Sequence, residues 1–195
     1  MELKDGIKTF YAKSQLEWRN WLAKNHDKEV SVWLIIYKKE SLVPSVYYPQ
    51  AVDEALCFGW IDSKPNKRDE QSYYQFFAKR NPKSNWSKVN KDKVAKLLEG
   101  NKISKAGLKI IEIAKKNGAW NALDEVDKLT MPSDLKLKFD TNAKAFLNWE
   151  SFPRSSRRGI LEWILNAKRP ETRQKRIDET VALAEKNIKA NHYRQ

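Results

Sequence analysis

The stretch EVSVWLIIY, residues 29–37, decides the fold that the sequence predicts. It is rich in β-branched and aromatic residues, and it is too short and too apolar for a surface helix. Because the polar residues 38–41 follow it, we predict a buried β-strand that ends there. Residues 60–67 and 72–79 are predicted to be two further strands, since the polar loop 68–71 between them suits a hairpin.

Helices are predicted before, between and after these strands, wherever apolar residues recur with a period near 3.6. The first covers residues 13–26 with Ser14 as its N-cap, and the second starts around Pro49 and stops at Gly59. The third helix is predicted to have Asn90 as its N-cap and to stop at Gly100. The fourth is predicted to have Ser104 as its N-cap and to stop at Gly118. The remaining predicted helices cover residues 134–139, 142–150, 155–167 and 170–189.

This order of elements predicts an α+β fold, because strands are confined to the first 80 residues and helices dominate afterwards. We expect a small, mostly antiparallel sheet with packed helices, followed by an all-helical C-terminal extension. The acidic, irregular stretch 120–131 is the predicted boundary. It separates an α+β domain of residues 1–120 from a helical region of residues 131–191.

The positive charge of the chain is concentrated in two blocks. The 195 residues include 38 Lys and Arg against 25 Asp and Glu, a formal net charge of +13. Residues 60–120 carry 15 basic and 6 acidic side chains, a net of +9, and residues 151–195 carry 11 and 5, a net of +6. Concentrated positive charge attracts polyanions such as nucleic acid. The alternative is that exposed lysines only keep the protein soluble.

Several classes of protein are excluded. No apolar run approaches the about 20 residues that span a bilayer, and residues 1–10 lack the apolar core of a secretory signal. A single cysteine, Cys57, fits a reducing compartment, so we predict a cytoplasmic protein without membrane insertion. Together with only two histidines, His26 and His192, it cannot form a structural zinc site. Because Gly-rich phosphate loops are also missing, we predict no metal and no cofactor.

Cys57 is the one candidate for a catalytic nucleophile. Glu54 and Asp62 lie close to it in sequence, but neighbouring carboxylates raise the pKa of a thiol. Free cysteines are also among the residues most often buried. We therefore favour a thiol in the core and a protein without enzymatic activity, and we keep an enzyme built on these three residues as the third hypothesis.

Aromatic and basic residues alternate between Trp60 and Trp86, which suits base stacking and phosphate contacts on a sheet. Because alternate residues of a strand face the core, half of the aromatics Tyr73, Tyr74, Phe76 and Phe77 are expected to pack inside. The predicted anion-binding residues are Lys64, Lys67, Arg68, Lys79, Arg80, Lys83, Lys88, Arg154, Arg157, Arg158, Lys168, Arg169, Arg173, Lys175 and Arg176.

Four motifs resemble one known family. They are Trp21-Leu22 with Asn25-His26, ALCFGWID at residues 55–62, KRNPKSNWSKVN at residues 79–90, and AKRPETRQKRI at residues 167–177. Together they resemble the bacterial YdeI/OmpD-associated, or bacteriocin-protection, family over nearly the whole chain. One departure is at residues 79–82, where Lys79 replaces the arginine that usually precedes the Arg-x-Pro element.

The resemblance implies a small bacterial protein with an N-terminal part similar to the YjbR/CyaY-like superfamily and an OmpD-associated region at residues 131–191. It implies no particular reaction, cofactor or catalytic residue. The motif residues Cys57, Gly59, Trp60, Asp62 and Trp86 therefore carry no assigned role. The family name suggests protection against cationic peptides, but a chain with a net charge of +13 repels such peptides, so direct capture is disfavoured.

Two hypotheses therefore lead. The first is a non-enzymatic basic module that binds a polyanion, with nucleic acid as the first choice. The second is a protein-interaction adaptor in envelope stress or antimicrobial-peptide resistance, which docks a protein partner through its C-terminal helices.

Overall fold

The structure, a computed structural model, describes residues 2–191. These residues are divided between two compact units, with the boundary between Asn121 and Ala122. We call the N-terminal part unit 1 and the C-terminal part unit 2. His192 lies outside the described residues.

Unit 1 contains a five-stranded sheet. Its strands are β1 (Leu3–Lys4), β2 (Ile7–Tyr11), β3 (Ser31–Tyr37), β4 (Trp60–Lys67) and β5 (Ser72–Lys79), in the spatial order β1-β2-β3-β5-β4. All neighbouring pairs are antiparallel except β2 and β3, which are parallel. The predicted mostly antiparallel sheet is therefore confirmed. β4 and β5 have their predicted bounds, and β3 begins at Ser31, two residues later than predicted.

β3 is central because its side chains are buried on both faces of the sheet. Val32, Leu34 and Ile36 belong to the main core of unit 1, which the helices complete. Trp33 and Ile35 are also buried but lie on the opposite face, since successive residues of a strand alternate. This explains why the stretch is apolar throughout.

β1 and β2 were not predicted from the sequence, although it contains a signal for them. Asp5 and Gly6 both have positive φ angles, of 52° and 76°, as a two-residue hairpin turn requires. An Asp-Gly pair between short alternating segments is a strong hairpin signal. The segment also depends on tertiary pairing, because the three residues Thr9–Tyr11 lie beside Trp33–Ile35 in parallel register.

Four helices complete unit 1: α1 (Gln15–Asn25), α2 (Tyr48–Cys57), α3 (Lys88–Glu99) and α4 (Lys105–Lys116). A short 3-10 turn covers Lys39–Ser41. All four helices contribute buried residues to the same core as Val32 and Leu34, so they cover one face of the sheet.

The ends of these helices show which of the predicted capping residues are correct. Ser14 and Ser104 accept hydrogen bonds from backbone N–H groups at the start of α1 and α4, so both predicted N-caps are confirmed. The N-cap predicted at Asn90 is wrong, because Ser87 caps α3 and its hydroxyl accepts the Asn90 N–H. α3 stops at Gly100, as predicted, but the φ of Gly100 is −80° and Asn101 takes the positive φ.

Unit 2 is helical throughout its described part. Its helices are α5 (Asp124–Asp127), α6 (Ser133–Asp140), α7 (Ala143–Ser151), α8 (Arg154–Leu165) and α9 (Pro170–Glu185). A second core holds them together, and Leu135, Phe139, Trp149, Ile164 and Ile177 are among its most buried members. The predicted all-helical extension is confirmed.

α9 ends four residues before the predicted end at Lys189. Asn187 has a φ of 60°, and its N–H donates to the Ala184 carbonyl while the Ile188 N–H donates to the Leu183 carbonyl. This pair of bonds is a Schellman motif, in which asparagine replaces the more common glycine. Across residues 2–191, no helix combines the length and the apolar character needed to cross a bilayer.

Candidate functional site

The motif at residues 55–62 lies where α2, β4 and α4 meet. The Cys57 carbonyl oxygen accepts hydrogen bonds from the Ser104 N–H at 2.9 Å and the Ser104 hydroxyl at 2.8 Å. A Cβ atom on Gly107 would lie 2.4 Å from that same oxygen. Gly59 has a φ of +73°, and a Cβ on it would lie 2.8 Å from Ile110. The motif therefore seats α4 closely against the C-terminal end of α2.

Two further motif residues also connect elements of unit 1. Trp60 is buried, and its Nε1–H donates to the His26 carbonyl at 3.1 Å. His26 itself ends α1, as predicted, with Nδ1 2.9 Å from the Leu22 oxygen. Asp62 accepts a hydrogen bond from the Tyr48 hydroxyl at 2.6 Å. Burial and this bond raise the pKa of Tyr48.

The environment of Cys57 does not favour a nucleophile. The residue is fully buried, and burial raises the pKa of its thiol, with the charge of Glu54 adding to the effect. Glu54 is itself buried, and it accepts hydrogen bonds from Arg19 at 2.6 Å and from Gln15 at 2.7 Å. These contacts satisfy the carboxylate within the core, so the cluster acts as a structural link between α1 and α2.

Arg80 is a buried member of unit 1. It is 5% exposed, its guanidinium carbon lies 3.8 Å from the centroid of the Trp86 ring, and Nη2 donates to the Asn85 carbonyl at 2.6 Å. Burial lowers the pKa of Arg80 to about 10. We predicted an anion contact here, but the side chain lies inside the core against Trp86, away from an exposed surface.

Nine of the other predicted anion-binding side chains are engaged within the chain. Six pair with carboxylates and three donate to main-chain oxygens. They are Lys67, Arg68, Lys79, Lys88, Arg154, Arg157, Arg158, Arg173 and Arg176. Arg158 contacts both Asp127 at 2.7 Å and Glu162 at 2.8 Å, and Arg173 bonds Asp134 through Nε at 2.6 Å. A neighbouring carboxylate offsets the positive charge of the six paired residues, so these six contribute little to an external field.

The remaining five predicted residues are Lys64, Lys83, Lys168, Arg169 and Lys175. None of them has an ion pair with another residue in the range 2–191. The Lys64 ammonium lies 5.9 Å from the centroid of the Trp33 ring. Lys168 and Arg169 directly precede α9, at the end of a helix where anions are favoured.

The aromatic residues of β5 divide between the two faces of the sheet, as predicted. Phe77 belongs to the helix-side core and Tyr73 packs against it. Phe76 and Tyr74 lie on the other face, where their ring centroids are 4.9 Å and 6.1 Å from that of Trp33. The Tyr74 hydroxyl donates to the Glu2 carboxylate. This face therefore carries a carboxylate among its aromatics and cations.

The exposed side of α4 carries three lysines and one carboxylate. Lys105, Lys109 and Lys116 lie on one stripe of the helix, because they are spaced by four and seven residues, and all three are exposed. We call them the α4 lysine stripe. Gly107 and Ile111 are buried on the opposite side. Within the described part of the chain, none of the three lysines has a carboxylate within 4.0 Å.

The segment around this stripe is strongly basic. Residues 83–116 contain ten lysines and three carboxylates, a net charge of +7. The carboxylate Glu112 lies on the same side of α4 as the stripe, so the stripe itself keeps a net charge of +2. These lysines are not among the anion-binding residues predicted from the sequence, although their spacing places them on one side of a predicted helix.

The loop before α3 approaches the end of α4. The Asn117 side-chain amide donates to the Pro82 carbonyl at 2.8 Å, which places exposed Lys83 near Lys116. The Lys115 ammonium lies 5.4 Å from the centroid of the Trp120 ring. Among the described residues, no group of three or more His, Cys, Asp or Glu side chains is arranged to hold a metal ion.

Comparison with known families divides the chain in a similar way. Residues 10–110, just over half of the chain, match the family model described as Domain of unknown function (DUF8412). Residues 128–187 match the family model described as Bacteriocin-protection, YdeI or OmpD-Associated. The second match supports the resemblance drawn from the motifs, whereas the likeness of the N-terminal part to the YjbR/CyaY-like superfamily stays a prediction. No curated protein and no solved structure matches the chain.

Proposed function

We propose that this chain, which belongs to the family described as Domain of unknown function (DUF8412) and carries a YdeI/OmpD-associated region after it, binds a polyanion without enzymatic activity. Nucleic acid is the ligand that we place first. The observation that carries the proposal is the α4 lysine stripe, three exposed ammonium groups on one side of a helix. A location in the bacterial cytoplasm, where nucleic acid is abundant, is part of the proposal.

The distribution of paired and unpaired cations supports this assignment. Most arginines of both units hold carboxylates or main-chain oxygens of their own unit, so their charge serves the fold. Among residues 2–191, no carboxylate pairs with the lysines of the α4 lysine stripe, and the helix is held by its buried side, at Gly107, Ile111 and Ala114. Side chains that are charged, exposed and unpaired are available for an external anion.

The dimensions of the stripe also suit a polynucleotide. Lys105 and Lys116 are eleven residues apart, which corresponds to about 16 Å along a helix axis. Duplex DNA carries one negative charge per about 1.7 Å of its axis, so several phosphates lie within reach of the stripe. Lys83, on the loop that Asn117 holds through the Pro82 carbonyl, is proposed as an auxiliary contact.

The test is fluorescence anisotropy of a labelled duplex titrated with the full chain at several salt concentrations between about 50 and 200 mM. The variant is K105Q/K109Q/K116Q. Its matched control is K13Q/K24Q/K28Q, which removes the same charge from three other exposed lysines of unit 1. Each lost phosphate contact flattens the slope of log K against log salt by about 0.9, so we expect the stripe variant to flatten it by up to about 2.7.

The control variant is expected to bind with the slope of the unmodified protein. If both triple variants weaken binding equally, net charge rather than the stripe attracts the ligand. If the unmodified protein does not bind at low salt, or binds independently of salt, the proposed function is wrong.

A protein partner on unit 2 is the second candidate function, as in an adaptor for envelope stress or antimicrobial-peptide resistance. Leu137 and Leu147 are 67% and 70% exposed, and Phe146 is 40% exposed. Phe146 also lines a groove of about 380 Å³, together with Phe139 and Trp149. Exposed apolar side chains of this kind are typical of protein interfaces.

This candidate predicts a complex that resists salt. A pull-down with the full chain should retain its partner at about 0.5 M salt, where exposed charges are screened over a few ångströms. The variant L137D/L147D should lose that partner while its circular dichroism remains unchanged. Loss of the partner with salt alone would argue against an apolar interface on unit 2.

A further inference from the structure

Trp120 is a partly exposed aromatic side chain four residues beyond the basic segment 83–116 of unit 1. It follows the end of α4, and its backbone N–H donates to the Ala114 carbonyl at 3.0 Å. Its ring packs against Trp86, with the ring centroids 4.9 Å apart. Trp86 is 1% exposed, and the guanidinium carbon of Arg80 lies 3.8 Å from the centroid of its ring. Trp120 therefore lies at the edge of the core, in contact with the buried ring of Trp86.

The surroundings of Trp120 are positively charged. The ammonium of Lys115 lies 5.4 Å from the centroid of its ring, and Lys116 follows on α4. Lys83 lies on the loop that Asn117 holds through the Pro82 carbonyl. For these three lysines, the described residues supply no carboxylate within 4.0 Å. The Lys115 ammonium is therefore attracted by the indole ring of Trp120 and not by a carboxylate of the described residues.

We infer that Trp120 stacks on an unpaired base of single-stranded nucleic acid while Lys115, Lys116 and Lys83 contact the adjoining phosphates. This inference rests on the proposed function and names the form of nucleic acid that the α4 surface prefers. Bases within a duplex stack on one another and offer no free face, whereas an unpaired base can stack on an aromatic side chain. Stacking is tolerant of sequence, because every base has a π-face.

The experiment compares single-stranded and duplex oligonucleotides of equal length, as both DNA and RNA, against four proteins. These are the unmodified chain, W120L, W120F and W163L. Stacking on one side chain is worth about 1–3 kcal/mol per base, so W120L should bind single strands about 5-fold to 150-fold more weakly. Its affinity for a duplex should stay within about 2-fold, because the lysines remain. W120F keeps an aromatic face and should retain most of the affinity for single strands.

Trp163 is the matched control. It is another partly exposed tryptophan under a cation, with the Arg176 guanidinium 4.9 Å from its ring, but it belongs to unit 2. We expect W163L to bind single strands as the unmodified protein does. If W163L loses affinity and W120L does not, the stacking residue is in unit 2 and the inference is wrong.

A second measurement does not depend on a fully stable W120L. The difference in tryptophan emission between the unmodified protein and W120F isolates the signal of Trp120. A single-stranded oligonucleotide should quench this difference, and an unchanged difference at saturation would overturn the inference. If the protein binds single strands and duplexes equally and W120L alters neither, only the inference fails. If it binds neither, the proposed function fails as well.

Discussion

Replacing Gly107 with alanine tests the seating of α4 most directly. The added Cβ would lie 2.4 Å from the carbonyl oxygen of Cys57 and 2.9 Å from its carbonyl carbon. Both are backbone atoms, so neither can rotate away. Since Cβ contacts below 3.0 Å are essentially never seen, α4 must move by about 0.6 Å from α2.

The expected magnitude follows from three contributions. Forcing a methyl group into a packed contact costs about 1–3 kcal/mol. The same shift strains the two hydrogen bonds from Ser104 to the Cys57 oxygen, each worth about 1 kcal/mol. Alanine recovers about 1 kcal/mol through its higher helix propensity. We therefore expect G107A to lower the free energy of unfolding of unit 1 by about 2 kcal/mol.

Gly159 provides the matched control, because it lies inside α8 with no atom within 4 Å of an added Cβ. G159A should stabilise unit 2 by about 0.5–1 kcal/mol. Urea unfolding separates the two effects, since six of the eight tryptophans belong to unit 1 and their fluorescence reports mainly on it. Far-UV circular dichroism follows the helices of both units, so a transition seen by circular dichroism and not by fluorescence belongs to unit 2. If G107A is as stable as the unmodified chain, the close seating of α4 on Cys57 is wrong.

Three further predictions concern buried and paired groups. R19M leaves the buried Glu54 carboxylate without its cation, so it should destabilise unit 1 by about 2 kcal/mol. The loss is smaller than for a fully buried pair because Arg19 is one-third exposed, and adding E54Q should recover part of it in a double-mutant cycle. Cys57 should react with a thiol reagent only as unit 1 unfolds, because burial raises its pKa; rapid labelling of the native protein would revive the enzymatic hypothesis. The hydrogen bonds from Arg173 lower the pKa of Asp134. The pair should therefore stabilise unit 2 above pH about 4 and lose this effect as the pH falls through the pKa of Asp134 in the folded protein. D134N should flatten that part of the acid unfolding curve.

The sequence was most informative where the signal is local. The buried strand β3 was predicted from nine adjacent residues, and Ser14 and Ser104 were identified as caps from their own neighbourhoods. Where two capping residues were close together, as with Ser87 and Asn90, the choice depended on a hydrogen bond that the sequence does not display. β2 also lay beyond local reasoning, since it is stabilised by pairing with a strand twenty residues away.

The candidate site divides in the same manner. The charge excess of residues 60–120 was a matter of counting, and it does lie in the unit that carries the α4 lysine stripe. The identity of the available cations depended on the fold, because an arginine is neutralised by whichever carboxylate the chain brings to it. Asp134 reaches Arg173 across 39 residues, and Asp127 reaches Arg158 across 31.

By itself, the sequence determined the α+β class, the helical C-terminal region and the net positive charge, since periodicity, capping and composition are properties of neighbouring residues or of the whole chain. Only the tertiary structure decided that Arg80 lies in the core, that Trp120 lies at its edge and that no carboxylate among the described residues pairs with the α4 lysine stripe. Burial and ion pairing depend on distances between residues far apart in the chain, and those distances exist only after folding.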